Sequence, residues 1–229
     1  MSAPTTTHWL VDPEQRRRLG RRAQILAATS VTYNLVEAVV AITAGTIAGS
    51  VALVGFGLDS VVEVSSGLII LWQFRHHLPE SRERQAVRLL VFSFFALAAY
   101  VGVESVRALV NGTQPDPSPV GVGLAIVSLS VMPFLSWAQR RTGKALGSHA
   151  VEADGTQTLL CSYLSAILLA GLLLNAMLGW WWADPLAGLV IAAVAVREGI
   201  EAWRGDSCCH VSTEPAAPAP DAGRIPHED

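Results

Sequence analysis

Long apolar runs, separated by short polar or turn-forming stretches, make up most of this chain. Six of them reach the roughly 20 residues that a helix needs to cross a bilayer core about 30 Å thick. The runs cover about Ala23–Ile47, Gly49–Phe74, Ala86–Val110, Val120–Ala138, Thr156–Leu178 and Ala183–Trp203. The pattern therefore predicts an all-α membrane protein with six transmembrane helices.

Composition supports the same class of protein. The 229 residues are 51% hydrophobic and only 15% charged, with a mean hydropathy of +0.40, which is too apolar for an ordinary soluble domain. The first apolar run is long enough to span, contains Glu37 and leads directly into a second run. We therefore expect it to remain in the protein rather than to be removed as a signal peptide.

Basic residues are distributed unevenly between the two ends of the predicted bundle. They cluster before the first run, in the second and fourth connections and at the end of the sixth run, and only Arg107 falls toward the opposite side. By the positive-inside rule, both termini are predicted to be cytoplasmic, in what we expect to be the cell (inner) membrane. The predicted segments are a basic N-terminal segment (1–22), a transport domain (23–204) and a Pro- and Ala-rich, disordered tail (205–229).

Two carboxylates interrupt the second apolar run. Asp59 and Glu63 are four residues apart and therefore share one helix face. An ionised carboxylate in hydrocarbon costs on the order of 3 kcal/mol on insertion scales, and intramembrane acids commonly mark ion or proton pathways. A divalent cation or a shared proton would relieve the repulsion between the pair, whereas the structural alternative is hydrogen bonding to neighbouring helices.

The fifth run carries a second polar face. Asp154, Gln157 and Cys161 lie at positions i, i+3 and i+7, where a carboxylate, an amide and a thiol converge. Taken singly, a cysteine in an apolar helix is more often a buried hydrophobe, and a glutamine often joins helices by hydrogen bonds. Together they are candidate metal ligands.

Other polar residues are secondary candidates. Glu37 is the best further pathway residue, whereas Glu104 is expected to pair with Arg107 and Asp184 to cap the sixth helix. A compact cluster after that helix offers metal-compatible atoms that could capture cytoplasmic ions, and it consists of Cys208, Cys209 and His210.

The segments "SVALVGFGLDSVVEV", "ADGTQTLLCSYLSAILL" and "ADPLAGLVIAAVAVREGIEAW", within six spans, resemble the cation diffusion facilitator family. The resemblance covers about residues 23–204 and implies export of divalent metal in exchange for protons. It also implies a metal site with two ligands on the second helix, Asp59 and Glu63, and two on the fifth, Gln157 and Cys161. Glu63 stands where the family more often has Asp, and Gln157 and Cys161 stand where it usually has His or Asp followed by Asp.

The resemblance bears on domain organisation as well. Many members carry a folded cytoplasmic domain after the sixth helix, whereas only about 25 residues follow it here, so we expect a short form without that domain. A homodimer would then be held mainly by its membrane helices.

A thiol among carboxylates favours Zn²⁺ over Mg²⁺ or Ca²⁺, with Co²⁺, Ni²⁺, Cd²⁺ and Fe²⁺ as alternatives. We expect no organic cofactor and no nucleic-acid partner. A membrane metal-binding or regulatory protein without turnover is the second hypothesis. A membrane enzyme is the third hypothesis, but the sequence shows neither a nucleophile–base motif nor a phosphate-binding loop that would support it.

Overall fold

A computed structural model of the chain describes residues 13–73 and 80–204. Six α-helices account for nearly all of these residues. They are α1 (Pro13–Ala48), α2 (Val51–Gln73), α3 (Glu80–Asn111), α4 (Pro119–Leu146), α5 (His149–Leu178) and α6 (Ala183–Arg204). The predicted all-helical fold is therefore confirmed.

Several helices are longer than the apolar runs that predict them. Helix α1 begins at Pro13, ten residues before the predicted start, and α4 continues to Leu146 through a polar, basic segment. Hydropathy marks only the part of a helix that lies in hydrocarbon, whereas Arg, Gln, Lys and Ala are good helix formers that extend a helix into water. Part of the predicted N-terminal segment is thus a helical extension of α1.

Five of the six helices are long and apolar enough to cross a membrane, namely α1 to α5. Helix α6 has 22 residues, and charged side chains lie in its first turn and along its C-terminal half. It nevertheless packs against the other helices, because Ile191 and Ala195 are buried in the two apolar clusters of the bundle. The chain is an integral, multi-pass membrane protein.

Helix α2 is the centre of the bundle. It contacts α1, α3, α5 and α6, while the most extensive contacts join α4 with α5, α1 with α2, and α3 with α6. One apolar cluster, which includes Phe56, Met132 and Leu168, joins α1, α2, α4, α5 and α6. A second, which includes Phe94 and Val101, joins α2 with the pair of α3 and α6.

Glycines let α1 and α2 approach closely. A Cβ atom added to Gly45 would lie 2.7 Å from the backbone nitrogen of Val54, and one added to Gly57 would lie 2.9 Å from that of Ile42. Small residues at helix crossings allow such backbone contact within membranes. This contact brings α2 against the middle of α1, where Ser60 bonds to Glu37 and Glu63 accepts a hydrogen bond from Asn34.

Asp184 caps a different helix from the one predicted. It lies in the first turn of α6, yet its buried carboxylate accepts hydrogen bonds from the Ser50 hydroxyl (2.5 Å) and from the backbone nitrogens of Val51 (3.0 Å) and Ala52 (3.4 Å). The prediction that it caps α6 is therefore wrong. The unpaired N–H groups at the start of α2 lie within reach of Asp184, and a carboxylate there satisfies them and complements the helix dipole.

Candidate metal centre

The acidic pair of α2 meets the cysteine of α5 inside the bundle. Asp59, Glu63 and Cys161 are all buried, with exposed fractions of 7%, 8% and 1%. One carboxylate oxygen from each acid and the Cys161 sulfur lie within 4.8 Å of one another. Asp59 and Glu63 share a face because they are one helical turn apart, and contact between α2 and α5 brings in the sulfur.

Helix α1 supports this cluster through Asn34. The Asn34 Nδ2 atom donates a 2.7 Å hydrogen bond to Oε2 of Glu63. Since a carboxylate only accepts hydrogen bonds, this contact identifies the nitrogen end of the Asn34 amide. Asn34 therefore orients one of the two acids of the cluster.

Glu37 lies close to the cysteine. Its carboxylate accepts hydrogen bonds from Ser60 (2.9 Å) and Ser128, and its Oε2 atom lies 4.0 Å from the Cys161 sulfur. Tyr33 extends this network through a 2.8 Å hydrogen bond with Ser128. Glu37, which is only 1% exposed, thus connects α1 with α2, α4 and α5 beside the candidate metal centre.

A small polar recess adjoins Glu63. It has about 10 Å³ of space, and among its lining residues are Asn34, Glu63, Asp154 and Gln157. Asp154 is held there by a 2.6 Å hydrogen bond from Nε2 of Gln139 on α4. Glu63 consequently belongs to both the three-residue cluster and the recess.

The predicted ligands therefore fall into two adjoining groups. Asp59, Glu63 and Cys161 come together, whereas Gln157 lines the recess with Glu63 and Asp154. The predicted pair of Glu104 and Arg107 is confirmed by a 2.6 Å contact. The predicted cluster at positions 208–210 and the predicted tail lie outside the described residues.

Sequence reasoning missed four polar partners, which are Tyr33, Ser60, Ser128 and Gln139. Ser128 and Gln139 are 11 residues apart, which is close to three helical turns, so they lie on one buried face of α4. That spacing was visible in the sequence. Ser60 immediately follows Asp59 and carried no periodic signal of its own.

The donor atoms of this region suit a divalent transition-metal ion. Carboxylate oxygens and a cysteine sulfur are typical ligands of Zn²⁺, and two ionised acids would supply the charge that balances a dication. The soft thiolate disfavours Mg²⁺ and Ca²⁺, which prefer oxygen ligands alone. The arrangement can therefore bind a metal ion within the transmembrane bundle.

Comparison with known protein families places this geometry in context. A family model described as the cation efflux transmembrane domain matches residues 87–204, which is just over half of the chain. The chain belongs to the cation diffusion facilitator family. The match includes Gln157 and Cys161, whereas Asp59 and Glu63 precede it. This family consists of metal-cation transporters rather than enzymes.

Individual relatives of this cation diffusion facilitator are distant. The uncharacterized transporter sll1263 of Synechocystis is 27% identical over 179 residues, which cover 74% of this chain and 58% of the relative. The cation-efflux pump FieF of Salmonella typhi is 28% identical over 201 residues, which cover 81% of this chain and 65% of the relative. Transmembrane protein 163 of Xenopus laevis is 23% identical over 193 residues, which cover 82% of this chain and 69% of the relative. The chain thus spans about three fifths of the length of the Synechocystis protein.

Proposed function

We propose that this protein exports a divalent transition-metal ion, with Zn²⁺ as the first choice, from the cytoplasm in exchange for protons. The observation that carries the proposal is the convergence of Asp59, Glu63 and Cys161 inside a transmembrane bundle of this family. Burying an acid within a membrane is energetically costly. The acids that do occur there most often mark an ion or proton pathway. The name of the FieF relative, a cation-efflux pump, supports the same direction of transport.

Zinc is favoured by the ligand chemistry. Asp59, Glu63 and Cys161 form the core of the proposed site, and Gln157 is the proposed fourth ligand from the neighbouring recess. Zn²⁺ accepts four ligands in tetrahedral geometry and tolerates mixtures of sulfur and oxygen. Cd²⁺ shares the preference for sulfur. Co²⁺, Ni²⁺ and Fe²⁺ are further candidates, because the order in which first-row divalent ions bind is much the same for most protein sites, and the ligands alone do not select one ion.

Proton coupling follows from the same ligands. Carboxylates and a thiol bind metal only in their deprotonated forms, so protons and metal compete for the site. A site that opens alternately to the two sides of the membrane would release metal where protons are abundant and bind it where they are scarce. This competition is the physical basis of the proposed antiport.

The proposed orientation places both termini in the cytoplasm of the cell (inner) membrane. Described basic residues at the ends of the helices support it, since Arg140, Arg141 and Lys144 lie toward the end of α4, where α5 begins. We also propose a homodimer held through membrane helices. Exposed apolar side chains along the described helices are compatible with contact to lipid or to a second copy.

Transport assays with purified protein in sealed vesicles test this function. Initial uptake of Zn²⁺, Cd²⁺, Mn²⁺ and Mg²⁺ is measured with a dye trapped inside, beside equilibrium binding of the same ions to the detergent-solubilised protein. The proposal expects saturable uptake of Zn²⁺ and Cd²⁺ and little uptake of Mg²⁺. Binding without uptake would instead support the second hypothesis, a membrane metal-binding or regulatory protein.

A further inference from the structure

The recess beside Glu63 lies on one definite side of the metal centre. Its residues come earlier than Glu37 along α1 and earlier than Cys161 along α5, and later than Asp59 along α2. The recess therefore lies toward the end of the bundle where α1 and α5 begin and α2 ends. In the proposed orientation, this is the cytoplasmic side, from which the metal arrives.

The lining of the recess is rich in oxygen atoms. Its lining residues include two with carboxylates, Glu63 and Asp154, and two with side-chain amides, Asn34 and Gln157, around a space of about 10 Å³. A space of this size holds about one water-sized particle. A 2.6 Å hydrogen bond from Gln139 orients the Asp154 carboxylate.

An unpaired buried atom on one of the lining residues indicates a bound ligand. Asn34 is 2% exposed and donates its Nδ2 atom to Glu63, but its Oδ1 atom has no hydrogen-bond partner among the described residues. A buried carbonyl oxygen without a partner is unfavourable, because it has lost its hydrogen bonds to water. A cation in the recess would remove this cost and would also balance the charge of Glu63 and Asp154.

We propose that the recess is a second divalent-cation site, formed by oxygen atoms of Asn34, Glu63, Asp154 and Gln157. It takes the ion before the ion reaches Asp59 and Cys161, and its part in transport rests on the proposed function. Because the recess offers oxygen without sulfur, it accepts harder ions such as Mn²⁺ more readily than the cysteine-containing centre does.

Glu63 and Gln157 connect the two sites. Cys161 lies seven residues beyond Asp154, about 10 Å along the axis of α5. Glu63 reaches into both groups of ligands, so an ion can keep one carboxylate contact while it exchanges the others. Asp154 and Asn34 serve only the recess, and Asp59 and Cys161 serve only the centre.

This division of ligands allows the recess to be tested by itself. Binding of Mn²⁺ to the full-length protein is followed by the loss of the free Mn²⁺ signal in electron paramagnetic resonance, in an Asp59→Asn background that removes a ligand unique to the centre. Asp154→Asn is then added. Glu152→Gln is the matched control, since it removes one carboxylate two residues away that contacts Lys144 (3.9 Å) and does not line the recess.

We expect the Asp59→Asn protein still to bind Mn²⁺. In that background, adding Glu152→Gln should leave Mn²⁺ binding unchanged, whereas adding Asp154→Asn should weaken it by about tenfold or more. Asn34→Leu, which removes the other side chain that the proposal assigns to the recess alone, is a second variant with the same expected direction if Asp154→Asn fails to fold. Loss of Mn²⁺ binding in Asp59→Asn alone, or equal binding in the Asp154→Asn and Glu152→Gln variants, would overturn the recess site.

Failure of the proposed function gives a different result. If wild-type vesicles take up no Zn²⁺ but the Asp59→Asn protein binds Mn²⁺ in an Asp154-dependent manner, the transport proposal fails and the recess site stands.

Discussion

At the scale of single residues, the protein places two acids and a thiol together inside a membrane bundle. Two ionised carboxylates in contact repel each other strongly where water is scarce, so a cation or a shared proton stabilises the arrangement. Hydrogen bonds from Asn34 to Glu63, and from Ser60 and Ser128 to Glu37, hold the surrounding polar groups. These hydrogen bonds orient the carboxylates of Glu63 and Glu37 beside the cluster.

Replacing either acid of the pair tests the assignment of the centre. We expect Asp59→Asn and Glu63→Gln each to abolish metal uptake while the protein remains inserted and folded, because each removes one ligand and one charge from the site. Vesicle uptake and detergent size-exclusion profiles measure the two effects separately. Glu104→Gln is the control, since Glu104 pairs with Arg107 away from the centre. Wild-type uptake in both acid variants would remove the pair from the pathway.

Cys161 determines the expected preference among metals. Cys161→Ser keeps nearly the same size but loses thiolate donation, so uptake of Cd²⁺ and Zn²⁺ should fall relative to that of Mn²⁺. The ratio of initial Cd²⁺ and Mn²⁺ uptake rates measures this selectively. A cysteine that only fills space would alter all ions alike, and an unchanged ratio would therefore exclude Cys161 as a ligand.

At the scale of elements, α2 is positioned from two sides. Glycine contacts bring α1 against it, and Asp184 of α6 caps its first turn. These contacts determine where Asp59 and Glu63 lie within the bundle. Distortion of the crossing between α1 and α2 should therefore affect the metal centre as well as stability.

Two glycine substitutions with opposite expected signs test this crossing. In Gly45→Ala the new methyl group would meet the backbone of Val54 at 2.7 Å, so we expect lower thermal stability and slower uptake. Gly123→Ala on α4 is the control, because nothing lies within 4 Å of its added Cβ atom and alanine favours a helix by about 1 kcal/mol over glycine. Equal melting temperatures for the two variants would contradict the close approach.

The helices could be predicted from the sequence more accurately than the side-chain contacts between them. Apolar runs and i, i+4 spacing located the helices and the acidic pair, because these depend on local periodicity. The contact between Glu37 and Cys161 joins residues 124 positions apart and depends on helix packing, which periodicity does not specify. Asp184 was assigned to its own helix for the same reason, since its partners on α2 are more than 130 residues away.

At the scale of the whole molecule, charge asymmetry predicts how the bundle lies in the membrane. The connection between α3 and α4 carries no basic residue, whereas the one between α4 and α5 follows Arg140, Arg141 and Lys144. The recess lies toward the latter end, so the orientation of the bundle decides which compartment supplies the metal.

Cysteine labelling of intact cells tests this orientation. Single cysteines replace Thr113 and Lys144, which are both exposed, in a background where the native cysteines are changed to serine. An impermeant thiol reagent should label position 113 and leave position 144 unlabelled until the cells are opened. The reverse pattern would invert the proposed topology and the direction of transport with it.

Exchange of metal for protons is the central claim, and its most direct test is a paired flux measurement in sealed vesicles. Zn²⁺ uptake and internal pH are recorded together for the wild-type protein and for Asp59→Asn, with and without an imposed pH gradient. The account predicts that Zn²⁺ entry drives proton exit, that an acidic interior accelerates uptake, and that Asp59→Asn shows neither flux. Zn²⁺ entry at a rate independent of the pH gradient, with no proton movement, would contradict it.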